Sequence, residues 1–529
     1  MLHASPCSAK VMRPLMRIFG RGLTCIALDT PGFGLSDKLA HENPSVEDFA
    51  DALADTLLAL GIAHVATYGR HTGASIAVEF AARHPAMCAM ALADGYAVFA
   101  HTYSDEELSR YLEPIVPVWD GGHLLRLWFR YRDQHVFWPW NKHLDANRSD
   151  TDVPDLDFLH RGVVEMLEAG DDYRIGYAAP FRHRALKVVP DLKVPVCFGN
   201  RPGDSMYLTR HLYPAEAWTA DLPREFQAAS ERELALLLQH PARGTAAVPP
   251  PCVSLPGRLD EGFVDFEGVQ LHVRSIGDLR AGATPLFILH HAPGSCRLHE
   301  ALMLELGTRR PVIAMDFPGH GESDALPRNP QDHATWLRAA QHVVHTLGLG
   351  RVHLLGHNGG AALALLWAAQ APAQVHSVLL DAPLCINSDE KAALLEAGIP
   401  DLRPSWEGAH LLRAWHHMRD SELWWPWFER KNTHRKSQPS SIQPAELSLR
   451  VREVLKQPYS AEPAWRANWE FDQWDLASEL RVSMLVLSAN NDTYAHLSTG
   501  DRIAPLARTV CGQHEKAGLI LHWMASHAG

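Results

Sequence analysis

No apolar run in the 529-residue chain approaches the roughly 18 residues that cross a bilayer. The N-terminus, Met1-Leu2-His3-Ala4-Ser5-Pro6, lacks the basic region and long apolar stretch of a secretory signal. There is no CxxC pair, and eight cysteines in this length read as reduced thiols of a cytoplasmic protein. Basic charge is scarce: 49 Lys and Arg face 61 Asp and Glu, a net charge of −12. Nucleic acid and anionic membrane both require a basic face, so neither is expected as a partner. No Gly-x-Gly-x-x-Gly follows a first strand and no P-loop occurs, so nucleotide cofactors have no support. His-Glu-x-x-His is absent, and His342-Val-Val-His345 has no third ligand nearby, so no metal is expected either. What the chain does have is 46% hydrophobic residues, enough for substantial cores, together with 32 His and 16 Trp.

The chain repeats itself. Asp29-Thr-Pro-Gly-Phe-Gly-Leu-Ser-Asp37 recurs as Asp316-Phe-Pro-Gly-His-Gly-Glu-Ser-Asp324, an offset of 287. At the same offset Gly69-Arg-His-Thr-Gly73 meets Gly356-His-Asn-Gly-Gly360. From Trp119 to Trp140, 12 of 22 positions match the segment Trp406 to Trp427. This is a duplicated domain. The expected boundaries are 1–241 for the first copy, 242–256 for a linker stiffened by Pro249-Pro250-Pro251, and 257–529 for the second.

Within each copy strands alternate with helices. Strands are expected at Leu23–Leu28, Val65–Tyr68, Met87–Ala93 and Val194–Phe198, with helices at Val46–Leu60 and Ala74–Arg83. In the second copy Pro285–Leu289 and Val482–Leu487 read as strands. The rhythm predicts an α/β fold: a mostly parallel sheet flanked by helices in each of two tandem domains. The segment between Asp94 and Val194 breaks the rhythm and reads as a helical, Trp-rich cap. The second copy opens with a β-hairpin over Gly262–Arg274. By the offset its counterpart would precede residue 1, so the first copy is expected to lack N-terminal strands, through an upstream start or a truncation.

A Gly-x-x-x-Gly pentapeptide between a buried strand and a helix is the position of a nucleophile elbow. Upstream, His3-Ala-Ser-Pro6 and His290-His-Ala-Pro293 follow a strand, where an oxyanion loop would lie. With the Asp-x-Pro-Gly-x-Gly-x-Ser-Asp loop, these motifs resemble the α/β-hydrolase superfamily, in particular its epoxide-hydrolase and haloalkane-dehalogenase-like branch. The resemblance covers essentially both copies. It implies a nucleophile at the centre of the elbow, an acid after a late strand and a catalytic His.

This chain departs from that pattern. The elbow residue is His71 in the first copy and Asn358 in the second. Asn is no nucleophile, whereas His can act as a base. The N–H groups of Thr72 and Gly359 could still hold an anion or a carbonyl oxygen. The acid positions are Asp204 and Asp492, with Asp94 and Asp381 at the family's second acid site. His514 follows Asp492 by 22 residues, while Leu222–Phe226 in the first copy contains no His.

The cap motif repeats His123, Trp128, Arg132 and Asp133 as His410, Trp415, Arg419 and Asp420. Tryptophans in a cap serve packing. The paired His and Arg form a wall able to hold a carboxylate or polarise a carbonyl. Catalytic roles are therefore expected of His71, Asp204, His123, Asp94, Asn358, Asp492, His514 and His410. Substrate contacts are expected of His3, Thr72, Trp128, Arg132, His290, Gly359, Trp415 and Arg419. The resemblance implies a serine-independent hydrolase for a small apolar ester, lactone, epoxide or carbonyl compound. A lyase on the same fold and a catalytically inactive binding or scaffold protein stay open. The two copies are expected to pack together, and homo-oligomer formation stays open.

Overall fold

The computed structural model describes residues 1–99, 103–244, 255–280, 282–436, 443–489, 508–511 and 515–527. The chain forms two compact units. Unit 1 comprises Met1–Val116 and His123–Pro251; unit 2 comprises Pro117–Gly122 and Cys252–Gly529. Most of the expected linker, including its three prolines, lies outside the described residues.

Unit 1 carries a parallel sheet of four strands in chain order: β1 (Val65–Arg70), β2 (Cys88–Asp94), β3 (Val196–Asn200) and β4 (Trp218–Asp221). The helix Val46–Ala59 that covers it shows how local sequence sets the elements. Ser45 and Asp48 form a reciprocal cap, Ser45 N–H donating to Asp48 at 2.8 Å and Asp48 N–H to Ser45 Oγ at 3.3 Å. Val46, Phe49, Ala50, Leu53, Ala54 and Leu57 then recur at helical spacing and are all buried. They pack with Ile76, Val78 and Phe80 of the helix Thr72–Arg83.

The strand expected at Leu23–Leu28 does not form. Its only ladder contact is an isolated bridge from Leu28 to Leu2, which also bridges Gly69. Only Met1–His3 run between Leu23–Leu28 and β1. A cavity of about 560 Å³ opens beside them, lined by Leu23, Ile26, Val65, Tyr68 and Leu57. With no neighbour along most of its length, Leu23–Leu28 has no partner for its backbone groups.

Unit 2 carries eight strands: β5 (Asp260–Phe266), β6 (Val269–Ile276), β7 (Leu286–Leu289), β8 (Val312–Met315), β9 (Val352–His357), β10 (Val375–Asp381), β11 (Ser483–Ala489) and β12 (Arg508–Cys511). Their order is β12-β11-β10-β9-β7-β8-β6-β5. The expected hairpin is the antiparallel β5–β6 pair, and β6 also pairs antiparallel with β8; the remaining pairs are parallel.

The Asp-x-Pro-Gly loop has a structural task in both units. Asp29 accepts the N–H of Ala9 at 2.7 Å and of Leu35 at 2.9 Å. Asp316 accepts those of Cys296 at 2.7 Å and Glu322 at 2.9 Å. One carboxylate thus ties two loops beside the elbow. Between β2 and β3 the chain is helical, with helices at Asp105–Tyr111, Gly122–Asp133, Leu156–Ala169 and Tyr173–Arg182. Tyr131 contacts Cys7, and the Ser8 N–H donates to Glu165 at 2.6 Å, which sets two of these helices against the loop after Leu2.

Candidate active site

In unit 1, β1 ends and the helix Thr72–Arg83 begins at His71, which has a φ of 49°. This is a sparsely populated conformation for a non-glycine residue, as a sharp strand-to-helix turn demands. The flanking glycines explain how the turn closes. A Cβ on Gly69 would lie 2.0 Å from the Gly73 carbonyl oxygen, and one on Gly73 would lie 2.3 Å from that of Leu2.

The turn brings His71 to one of the expected acids. Its Nε2 lies 2.7 Å from Asp204 Oδ2. Asp204 follows β3 and is buried, while the His71 side chain keeps 35% of its exposure. Burial alone would push the Asp204 carboxyl up. The His71 imidazole, Arg70 and the Met206 N–H outweigh it and hold Asp204 well below the usual carboxylate range. An ionised Asp204 can only accept, so a neutral His71 carries its proton on Nε2 and its lone pair on Nδ1. Thr72 is the first residue of the helix, and its N–H has no intrahelical acceptor.

The structure gives Asp94 a different task. Its buried carboxylate faces Tyr68 Oη at 3.3 Å, Arg201 Nη2 at 3.2 Å and Arg70 Nε at 3.6 Å, and it is Asp204 that meets the His71 ring. The same network includes Glu233, which burial and Asp94 push upward. Nor does a thiol replace the missing serine. Cys7 is driven up to about 12 by burial, with Glu165 adding to it, so it stays protonated.

Unit 2 repeats the turn but not the site. Asn358 also has a φ of 49°. Its Nδ2 donates to His357 Nε2 at 2.9 Å, and His357 Nδ1 donates to Asp381 at 2.7 Å. Lys516 pairs with Asp381 as well. Burial opposes ionisation of Asp381, but Lys516 and His357 hold it well below the ordinary range. The Gly359 N–H, expected to face substrate, donates to His291 Nδ1 at 3.2 Å. Ala4 is the matching residue in unit 1. Asp492 and His514 lie outside the described residues.

His3 and His290 are ties between loops. His3 Nδ1 donates to the Ala4 carbonyl at 3.0 Å and its Nε2 accepts the Thr30 N–H at 2.9 Å. His290 does the same with the His291 carbonyl at 2.7 Å and the Phe317 N–H at 3.1 Å. With both nitrogens committed, neither can meet substrate as expected. Burial lowers both rings, consistent with the neutral form.

In the helical segments His123 and His410 are buried in the first turns of Gly122–Asp133 and Ala409–Leu423. His410 Nδ1 accepts the Ser405 N–H at 3.2 Å and so braces the preceding loop. Trp128 and Trp415 are fully buried packing residues. Arg132 lies over the Phe129 ring at 5.2 Å. Arg419 is not free for substrate, because Asp420 accepts from its Nε and Nη2 at 3.2 and 3.0 Å.

Sequence reasoning missed His357 and His291, though Gly356-His-Asn and His290-His-Ala both display them. Among the described residues, His272, Cys296 and Asp316 have metal-ligand spacing, as do Glu47, Glu79 and His183. His272 lies 3.0 Å from Asp316 and 3.7 Å from Glu261. Burial would lower it, but those carboxylates raise it to about 9, so a proton fills this cluster.

A family model for the alpha/beta hydrolase fold matches residues 1–120 and 284–409, one segment in each unit. The chain is a member of the α/β-hydrolase superfamily. It is similar to the proline iminopeptidase of Levilactobacillus brevis, with 36% identity over 131 residues, 24% of this chain and 44% of that protein. The proline iminopeptidase of Heyndrickxia coagulans shows 32% identity over 133 residues, 24% of this chain and 44% of that protein. The match thus spans less than half the length of these relatives. Among solved structures, a bacterial membrane phospholipase A has a TM-score of 0.41 at 18% identity, covering 51% of this chain and 87% of that one. An epoxide hydrolase from Vigna radiata has a TM-score of 0.37 at 14% identity, covering 51% and 98%. No helix among the described residues is long and apolar enough to cross a membrane.

Proposed function

We propose that the protein is a serine-independent hydrolase whose working site is in unit 1, and that it acts on a small apolar ester, lactone, epoxide or carbonyl compound. The observation that carries this reading is the 2.7 Å pairing of His71 with Asp204 at the elbow. Asp204 fixes the Nε2–H tautomer, and Nδ1 takes a proton from water. For an ester, the water oxygen bonds to the carbonyl carbon and the oxyanion forms near the Thr72 N–H. The C–O bond to the alkoxide then breaks, and the proton on His71 passes to the leaving oxygen. The relatives' name adds peptide-type amides to the candidate substrates.

A supporting role for unit 2 is favoured by two observations of its own. Asn358 can take no proton from water, and His291 holds the Gly359 N–H.

The test is turnover of aryl esters, lactones, epoxides and prolyl anilides by the full chain, with and without a covalent serine reagent. Turnover that survives the reagent and vanishes in His71→Ala supports the reading. Turnover abolished by the reagent, or retained in His71→Ala, defeats it.

A further inference from the structure

Arg130 carries a charge that the fold does not neutralise. It lies on the helix Gly122–Asp133 and is 2% exposed. Its Nη1 donates to Gln134 Oε1 at 2.6 Å. Its Nε and Nη2 have no acceptor among the described residues, and no described carboxylate lies within ion-pair distance. An arginine cannot shed its proton to escape burial.

Four rings surround the guanidinium: Trp140 at 5.1 Å, Tyr177 at 5.8 Å, Tyr173 at 5.9 Å and Tyr111 at 6.0 Å. Their faces attract a cation, but weakly against the cost of taking it out of water. The cage is fixed in advance. Tyr173 Oη donates to the Glu113 carbonyl at 2.6 Å, Trp140 Nε1 to that of Tyr111 at 2.9 Å, and the hydroxyls of Tyr111 and Tyr177 lie 3.3 Å apart.

The open edge of Arg130 is a particular one. Nε and Nη2 form the side by which arginine grips a carboxylate with two parallel bonds. Unit 1 uses that edge elsewhere. Arg83 holds Asp51 through Nε at 2.9 Å and Nη2 at 2.6 Å, and Arg126 holds Glu113 at 2.8 and 2.5 Å. In Arg130 alone of these three the edge is both buried and empty. At the matching position unit 2 has His417, lodged between Trp427 at 4.5 Å and Trp465 at 4.6 Å and driven by burial to about 3. A neutral ring there needs no counter-ion; the cation of unit 1 does.

Arg130 also shares its surroundings with the elbow. His135, one turn further on, has no partner for Nε2. Burial, followed by the charges of Arg70, Arg130 and His71, pushes this imidazole down to about 4.

We propose that Arg130 binds a carboxylate of the substrate, so that unit 1 takes a small organic acid whose apolar body lies among the Tyr and Trp rings. The proposal rests on unit 1 being the working site, and it is tested by binding rather than turnover.

The experiment is calorimetric titration of the full chain with acetate, butyrate and phenylacetate, and with the corresponding neutral amides. At least one acid should bind saturably at one site per chain, and its amide at least tenfold more weakly. Arg130→Gln should lose tenfold or more, Arg130→Lys should fall between, and His71→Ala should bind like the parent. If Arg130→Gln does not fold, the acid-to-amide ratio of the parent and of Arg130→Lys decides. Acids that fail to bind, acids and amides that bind alike, or unchanged binding in Arg130→Gln would overturn the assignment. Acid binding without any turnover in the substrate panel would sink the hydrolase reading and leave this one standing.

Discussion

The Gly359 N–H donates to His291 Nδ1 at 3.2 Å, so unit 2 closes its own anion-holding donor with a side chain. Unit 1 has Ala4 at that position and leaves the equivalent Thr72 N–H uncovered by it. Removing the plug should not create an enzyme, because Asn358 still offers no base. His291→Ala and Asn358→Ala should each leave kcat/KM within about twofold of the parent. A tenfold loss in either, measured with the best substrate of the panel, would move the working site to unit 2.

Asp204 should matter through His71. Asp204→Asn keeps the shape but can present its NH₂ to Nε2, which selects the wrong tautomer. It should lower kcat/KM by about 10²-fold or more. The same pairing has a signature in acid stability. The folded pKa of Asp204 is depressed, so its contribution is present above the unfolded value near 3.9 and lost as pH falls through the folded one. The gap in Tm between the parent and Asp204→Asn should therefore narrow below about pH 4. A gap that widens there would contradict the pairing.

Gly95 abuts the dyad. A Cβ there would lie 2.6 Å from His71 Cδ2 and 3.3 Å from Asp204 Oδ1, and the residue has a φ of 69°. Gly95→Ala should cost about 1–3 kcal/mol of stability through the unfavourable backbone. It should also cost activity by tilting the imidazole. Thermal melts and kcat/KM on the same preparation check both; unchanged activity would mean that the ring position is not critical.

His272 gives the alkaline counterpart. Its folded value near 9 stands above the unfolded value of 6.5, so its contribution is complete below pH 6.5 and is lost as pH rises through 9. The amount is on the order of 3 kcal/mol. His272→Gln should melt lower than the parent at pH 6 and close to it at pH 10. Parallel melting curves across that range would refute the charged cluster.

The duplication and the elbow were legible because each is written as a local string: the 287-residue offset, and glycines whose places no larger residue could fill. The pairing of His71 with Asp204 was legible only as a candidate, since the acid follows β3, far along the chain. Other functional assignments failed where a residue's partners are remote. His3 and His290 look available in the sequence, but their nitrogens are taken by backbone groups 27 residues on. Arg130 was invisible as a site because its neighbour Arg132, not Arg130, repeats in the second copy. Leu23–Leu28 has a good strand composition and no neighbour to pair with, which composition cannot reveal.

The most direct measurement is kcat/KM of His71→Ala beside Asn358→Ala, in the presence of a covalent serine reagent, with thermal melts to confirm folding. The account expects a loss of about 10²-fold or more in His71→Ala and little change in Asn358→Ala. Full activity in His71→Ala would contradict it.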